Sequence, residues 1–229
     1  MKRSIGYLFA ELVIVTLGVS FSLLMNDLRE QNQRQERERD VLKVIQANLQ
    51  RDSINLWRHS TLLEYFEKNA AHLKGREEEA VIDSLNLYVD IITSYSMMNI
   101  VDIGFQELQS GNLQLSLSND TLNREIMVYY TDLRGYIEEW NQIDREFILN
   151  SMIPYVIKNI PNLAVKEPPG FTMSKLPGAQ VWKAAEFQNL VTTFVLYKKA
   201  VYMMSVEHKK VLARLRENVE KEIDHLKPD

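Results

Sequence analysis

Residues 41–73 read VLKVIQANLQRDSINLWRHSTLLEYFEKNAAHL. Leu42, Ile45, Leu49, Asp52, Leu56, His59, Leu63, Phe66, Ala70 and Leu73 recur at alternating spacings of three and four. Residues so spaced lie on one face of a helix, so the pattern predicts the seam of a long packed helix. Asp52 and His59 interrupt an otherwise apolar line. No Pro or Gly lies between Gly18 and Gly75, so nothing stops this helix from running back toward the amino terminus. Gly75 is its expected stop.

Upstream, residues 29–40 read REQNQRQERERD and contain no apolar residue. A helix that is polar all round has no face to bury. Residues 26–40 are therefore expected to form a solvated helical stalk. Before it, residues 5–25 read IGYLFAELVIVTLGVSFSLLM. As a helix they span about 31 Å, enough for a bilayer core. Their Leu, Ile, Val and Phe residues contribute roughly −5 kcal/mol toward insertion, and Glu11 opposes this by about 3 kcal/mol at most. The apolar contribution wins, and a transmembrane helix is expected. The rival reading, a cleaved signal peptide, has only Ser20-Phe21-Ser22 as a poor cleavage site. Residues 1–4 are too short a tail to hold a domain, which favours a cytoplasmic amino terminus with the rest of the chain outside. Tyr7, Glu11, Gly18, Ser22 and Met25 share one stripe of the span. Gly18 and Ser22 make a small-xxx-small pair that permits close helix approach. Glu11 then either faces a helix interface, for association or ion coupling, or snorkels to the headgroups of a lone anchor.

Downstream, the pattern predicts helices over about 77–95 (Val81, Leu85, Tyr88 and Ile92 inward) and about 100–110. A fourth starts at Ser118 or Asn119, with a seam of Leu122, Ile126, Tyr129, Leu133, Tyr136, Trp140, Ile143 and Phe147. Pro154 should kink or divide it. A fifth, from about 179 to 226, has Phe187, Leu190, Phe194, Tyr197, Val201, Met204, His208, Val211 and Leu215 on its seam. Lys198 and Lys199 break its apolar run, so it is not a second span. The expected fold is all-α: a membrane helix continuing through the stalk into an antiparallel helical bundle over 41–229. Residues 159–178 hold four of the six prolines and form the one expected irregular loop. Its Ile160, Leu163, Phe171, Met173 and Leu176 either fold back on the bundle or meet a partner.

Composition narrows the function classes. There is no Cys, which removes disulfides, thiolate metal sites and Cys nucleophiles. Lys plus Arg total 27 against 31 Asp plus Glu, a net charge of −4, which argues against a nucleic-acid partner. HExxH, GxSxG, P-loop and GxGxxG motifs are absent. Asp52, His59 and His208 fall on apolar seams. With the last helix antiparallel to the first, they would share a buried polar layer, either a metal or pH-sensitive site or a set of satisfied core residues. Glu222-x-x-His225 has di-iron spacing but lacks the second motif such a site needs. No metal or cofactor is expected.

Glu11, Gly18, Asn26 and Glu30, and later Leu108-Gln-Ser-Gly-Asn-Leu113 and Tyr129-Tyr130, give the chain a resemblance. It resembles a family of uncharacterised single-pass membrane proteins of Gram-negative bacteria, a domain of unknown function. That family's pattern is a Gly-Glu pair, an apolar run with a Gly, then Asn-Asn-Trp-Asn-Glu. Here Ala10 replaces the first Gly, Leu24 a usual Gln and Leu28 the Trp. The resemblance implies an anchored helical domain and carries no catalytic residue.

The expected function is therefore a non-enzymatic scaffold, accessory subunit or interaction module at the inner membrane, with the bundle in the periplasm. Its contacts would be the lipid bilayer and a protein partner or a second copy. The alternatives are an oligomeric pore or ion-coupled unit using Glu11, and a ligand-sensing bundle.

Overall fold

The computed structural model describes residues 5–71, 73, 85–110, 117–160, 163–165, 171–173 and 180–227. Its first element, α1 (Ile5–Ala71), is one uninterrupted helix of 67 residues, about 100 Å long. It contains an 18-residue window of mean hydropathy 1.5, none of it buried, long and apolar enough to cross a membrane. The following residues stay exposed as far as Arg37. At Glu38 the helix enters the bundle: this carboxylate is buried and accepts from the backbone N–H and the hydroxyl of Ser118, both at 2.8 Å. Beyond it, all ten seam residues from Leu42 to Leu73 are buried. Gly75 lies outside the described residues, as do Gly111 and Val81.

Three further segments pack on α1. The first descends along it as α2 (Leu85–Ile92), an extended stretch over 94–102, and α3 (Ile103–Ser110). The second rises again as α4 (Asp120–Val128), α5 (Arg134–Phe147) and α6 (Ile153–Asn159), joined by π turns at Tyr129–Leu133 and Ile148–Met152. The last descends as α7 (Gln180–Lys183) and the 41-residue α8 (Ala185–His225), which packs along α1. Contacts fix the directions. Ser60 on α1 meets Lys209, and Leu73 just beyond its end meets Gln188, so α8 runs antiparallel. Glu38 meets Ser118 and Asp52 meets Tyr129, so α4–α6 runs parallel to α1. The fold is all-α, an antiparallel bundle of four segments.

The start of α4 follows its sequence signal: the Asn119 side chain accepts from the Leu122 N–H at 3.1 Å. The expected seam then holds for Leu122, Ile126 and Tyr129 and slips. Tyr136 is 57% exposed, and the buried residues are Ile137, Asn141, Asp144 and Ile148. Each stands one place after the expected Tyr136, Trp140, Ile143 and Phe147. The π turn at Tyr129–Leu133 is the reason. It adds one residue to a turn and rotates the helix beyond it by roughly 100°. Both Tyr129 and Tyr130 thereby face inward, the first bonded to Asp52 and the second stacked on Phe105 with ring centroids 4.8 Å apart. The second π turn ends just before Pro154, and the backbone stays helical through the proline to Asn159, so Pro154 does not divide the path; it stands in the first turn of α6, where its missing N–H costs little. On α8 the buried line is Phe187, Val191, Phe194, Lys198, Val201, Ser205, His208, Leu212 and Leu215; Leu190, Tyr197, Met204 and Val211 flank it.

The stretch 159–178, expected to be irregular, contains a short antiparallel hairpin, β1 (Leu163–Val165) with β2 (Phe171–Met173), pairing Leu163 with Met173 and Val165 with Phe171.

Candidate functional site

An extended chain buried among helices has a difficulty that helices do not share. Its N–H and C=O groups have no ladder and no water, and each must find a partner. Residues 94–102 are such a chain in part: Met98 is buried, while Tyr95, Met97 and Asn99 are exposed. Helix α2 ends where the Thr93 and Ser94 hydroxyls turn back onto the carbonyls of Val89 and Asp90. From there, buried polar side chains of the surrounding helices serve the extended backbone one group at a time.

Lys198 of α8 donates to the Ser94 carbonyl at 3.3 Å. His59 of α1 places Nε2 3.4 Å from the Ser96 carbonyl. Asn141 of α5 holds both sides of Met98, accepting from its N–H at 3.3 Å and donating to its carbonyl at 2.8 Å. Asp52 accepts from the Val101 N–H at 2.9 Å and from the Tyr129 hydroxyl at 3.0 Å. Arg134 pairs with Asp102. With its amide oxygen turned toward α3, Asn48 accepts from the N–H groups of Ile103 and Gly104 at 3.2 and 2.8 Å and caps that helix. Gly104 is required there: a Cβ would stand 2.8 Å from the Ile45 backbone nitrogen.

The buried charges follow from this arrangement. Lys198 is fully buried and donates to both oxygens of Asp144, at 2.5 and 2.7 Å. Its ammonium also lies 4.8 and 5.2 Å from the ring centres of Phe194 and Phe66. Burial lowers the Lys198 pKa, and Asp144 opposes that. Burial raises the Asp52 carboxyl to about 6, against the lowering effect of its bonds from Val101 and Tyr129. Burial lowers the pKa of both His59 and His208, which favours neutral imidazoles.

The expected layer of Asp52, His59 and His208 is buried throughout, but it divides into two. Asp52 is committed to Val101 and Tyr129. His59 and His208 line a separate small cavity of about 10 Å³ with Met98, Trp140, Met204 and Ser205. An open groove of about 290 Å³, bordered by Asn55, Arg58, Leu62 and Asn99, adjoins it and shares His59 and Met98. Among the described residues no group of three or more His, Asp or Glu converges as a metal site, and Glu222 instead accepts from Asn119 at 2.6 Å.

Glu11, Gly18 and Ser22 all lie on the exposed amino-terminal part of α1, where the Ser22 hydroxyl donates to the Gly18 carbonyl at 2.9 Å. Of the expected contact loop, Ile160 is buried in the core, so it is not a partner-facing residue. Leu163, Phe171 and Met173 fall on the hairpin strands; Leu176 lies outside the described residues. Reading by sequence missed Asn48, Asn141, Asp144 and Lys198. Asn141 and Asp144 became visible as inward residues only through the slip at the first π turn. Lys198 had a signal, as a cation inside an apolar run.

No protein family, curated protein or solved structure with which the chain was compared matches it.

Proposed function

We propose that this chain is a single-pass protein of the bacterial inner membrane, with a cytoplasmic amino terminus and its bundle in the periplasm. There it works as a non-enzymatic interaction module, a scaffold or accessory subunit. The supporting observation is continuity. One helix is apolar and exposed at its amino-terminal end, polar and exposed in the middle, and buried in the bundle from Glu38 onward. With no Pro or Gly between Gly18 and Gly75, a displacement at the membrane passes into the bundle without a hinge. The buried ionisable groups Asp52, Asp144 and Lys198 are spent on backbone and on one another, which suits a structural role.

The contact face we assign is the outer side of α1, where Ile54, Trp57, Leu62 and Tyr65 are exposed. The test is the mass of the full-length protein in detergent by light scattering, together with affinity capture from its own membranes. The expected result is a stoichiometric complex, either with itself or with one partner, that Trp57→Glu dissolves without changing the far-ultraviolet circular dichroism. A monomer that captures nothing overturns the proposal. A complex that survives Trp57→Glu but is lost in Gly18→Leu moves the interface to the membrane span, and Glu11→Gln then tests ion coupling.

A further inference from the structure

The chain contains two Met-Met pairs, Met97-Met98 in the extended segment and Met203-Met204 on α8. In the fold one residue of each pair comes to the same cavity. From each pair the second residue, Met98 or Met204, lines the cavity beside His59 and His208. The first stays outside, with Met97 51% and Met203 56% exposed.

We propose that this cavity binds one soft monovalent metal ion, Cu(I), through the imidazoles of His59 and His208 and the thioethers of Met98 and Met204. Four observations support the assignment. First, the His59 Nε2 faces the Ser96 carbonyl, which can only accept, so Nε2 carries the proton. The other nitrogen, Nδ1, is then a bare lone pair, and it is buried without a partner. A ring held by a carbonyl through one nitrogen with the other left open is the arrangement that orients a metal-ligating histidine. Second, Asn141 grips both backbone groups of Met98, which fixes the residue that brings one of the sulfurs. Third, the cavity of about 10 Å³ holds a single water-sized occupant.

Fourth, the donor set selects the ion. Thioether sulfur is a soft ligand that favours Cu(I), whereas Mg²⁺, Ca²⁺ and Mn²⁺ require oxygen donors, and no carboxylate lines the cavity. All four donors are uncharged when they bind. Asp144 and Lys198 form an ion pair and act on His59 with opposite signs. A single positive charge is therefore easier to accommodate than two. The groove bordered by Arg58 and Asn99 supplies a route from solvent, since His59 and Met98 belong to both spaces.

The inference stands apart from the interaction-module reading, and either can fail alone. Ag(I), which shares the ligand preference of Cu(I) and does not change oxidation state, is the probe. Full-length protein in detergent is given two equivalents of Ag(I) in chloride-free buffer and desalted, and the retained silver is counted by mass spectrometry. One equivalent is expected to stay with the wild type and with the surface variant Met97→Leu/Met203→Leu. None is expected to stay with Met98→Leu/Met204→Leu, whose substitutions nearly conserve volume. Should that double variant fail to fold by circular dichroism, Met204→Leu alone must weaken the affinity at least tenfold in competition with a chromophoric chelator. Wild type that retains no silver holds only water in the cavity, and the proposal falls. It also falls if folded Met98→Leu/Met204→Leu keeps its equivalent, or if Zn²⁺ displaces Ag(I).

Discussion

The first helix and the extended segment that descends beside it solve one problem in opposite ways. Along α1 every backbone group inside the bundle is satisfied by the helix itself, and the seam has only to be apolar. Over residues 94–102 the backbone bonds to backbone only at its two ends, where the Ser94 N–H donates to the Ile91 carbonyl and the Asp102 carbonyl accepts from the Gln106 N–H. Its partners are Asp52 and His59 on α1, Asn141 on α5 and Lys198 on α8. The polar residues that look out of place on the helical seams are thus the missing half of a neighbouring segment's hydrogen bonding. The comparison also shows why buried polar residues need not mean catalysis: most of them here are spent on the main chain.

The sharpest way to break this contrast is Asp144→Ala. It leaves the Lys198 ammonium buried without its carboxylate, and breaking such a pair costs about 3–5 kcal/mol. Urea unfolding is expected to show a loss of that size. Adding Lys198→Met should recover much of it, at the expense of the bond to Ser94. If Asp144→Ala is neutral, the pair does not anchor the segment.

A second test uses protons. The Asp52 carboxyl titrates near 6 in the folded chain and near 3.8 unfolded, because burial disfavours its charge. Below about pH 4 both states are protonated and Asp52 contributes no pH dependence. Between about 4 and 6 the folded state holds the extra proton, so stability falls as pH rises. Above that window the ionised Asp52 costs up to about 3 kcal/mol. Asp52→Asn keeps an acceptor for Val101 and carries no charge. Its stability relative to the wild type should therefore rise across this window and level off near pH 7, as thermal unfolding at a series of pH values will show. A gap that is independent of pH refutes the assignment.

The smallest expected effect is the most local. Asn141→Leu strands the N–H and carbonyl of Met98, at a cost of about 1–3 kcal/mol. Hydrogen exchange should speed up at Met98 and its neighbours and stay slow along the seam of α1. Equal loss of protection in both would erase the distinction between them.

Much of this was legible in the chain. The seam of α1 was readable position by position because a straight helix repeats without memory of its surroundings, and nothing between Gly18 and Gly75 resets its phase. The same reading failed in α4–α6 after Tyr129. A π turn leaves no mark in the three-four spacing that precedes it, and one added residue rotates everything beyond it. Asp52, His59 and His208 were recognisable as buried polar residues, since each sits on an apolar line. The partners of Asp52 and His59 were not, because a partner 37 to 77 residues away is chosen by packing.

The sequence by itself determined the all-helical class, the apolar amino-terminal segment, the polar stretch beyond it and the face α1 buries. Those depend on local period and composition. Only the tertiary structure decided that residues 94–102 are extended and that Asn141 and Lys198 hold them. It alone brought His59, His208, Met98 and Met204 to the walls of one cavity. Such relations join residues far apart along the chain, and they exist only once four segments have packed at a common depth.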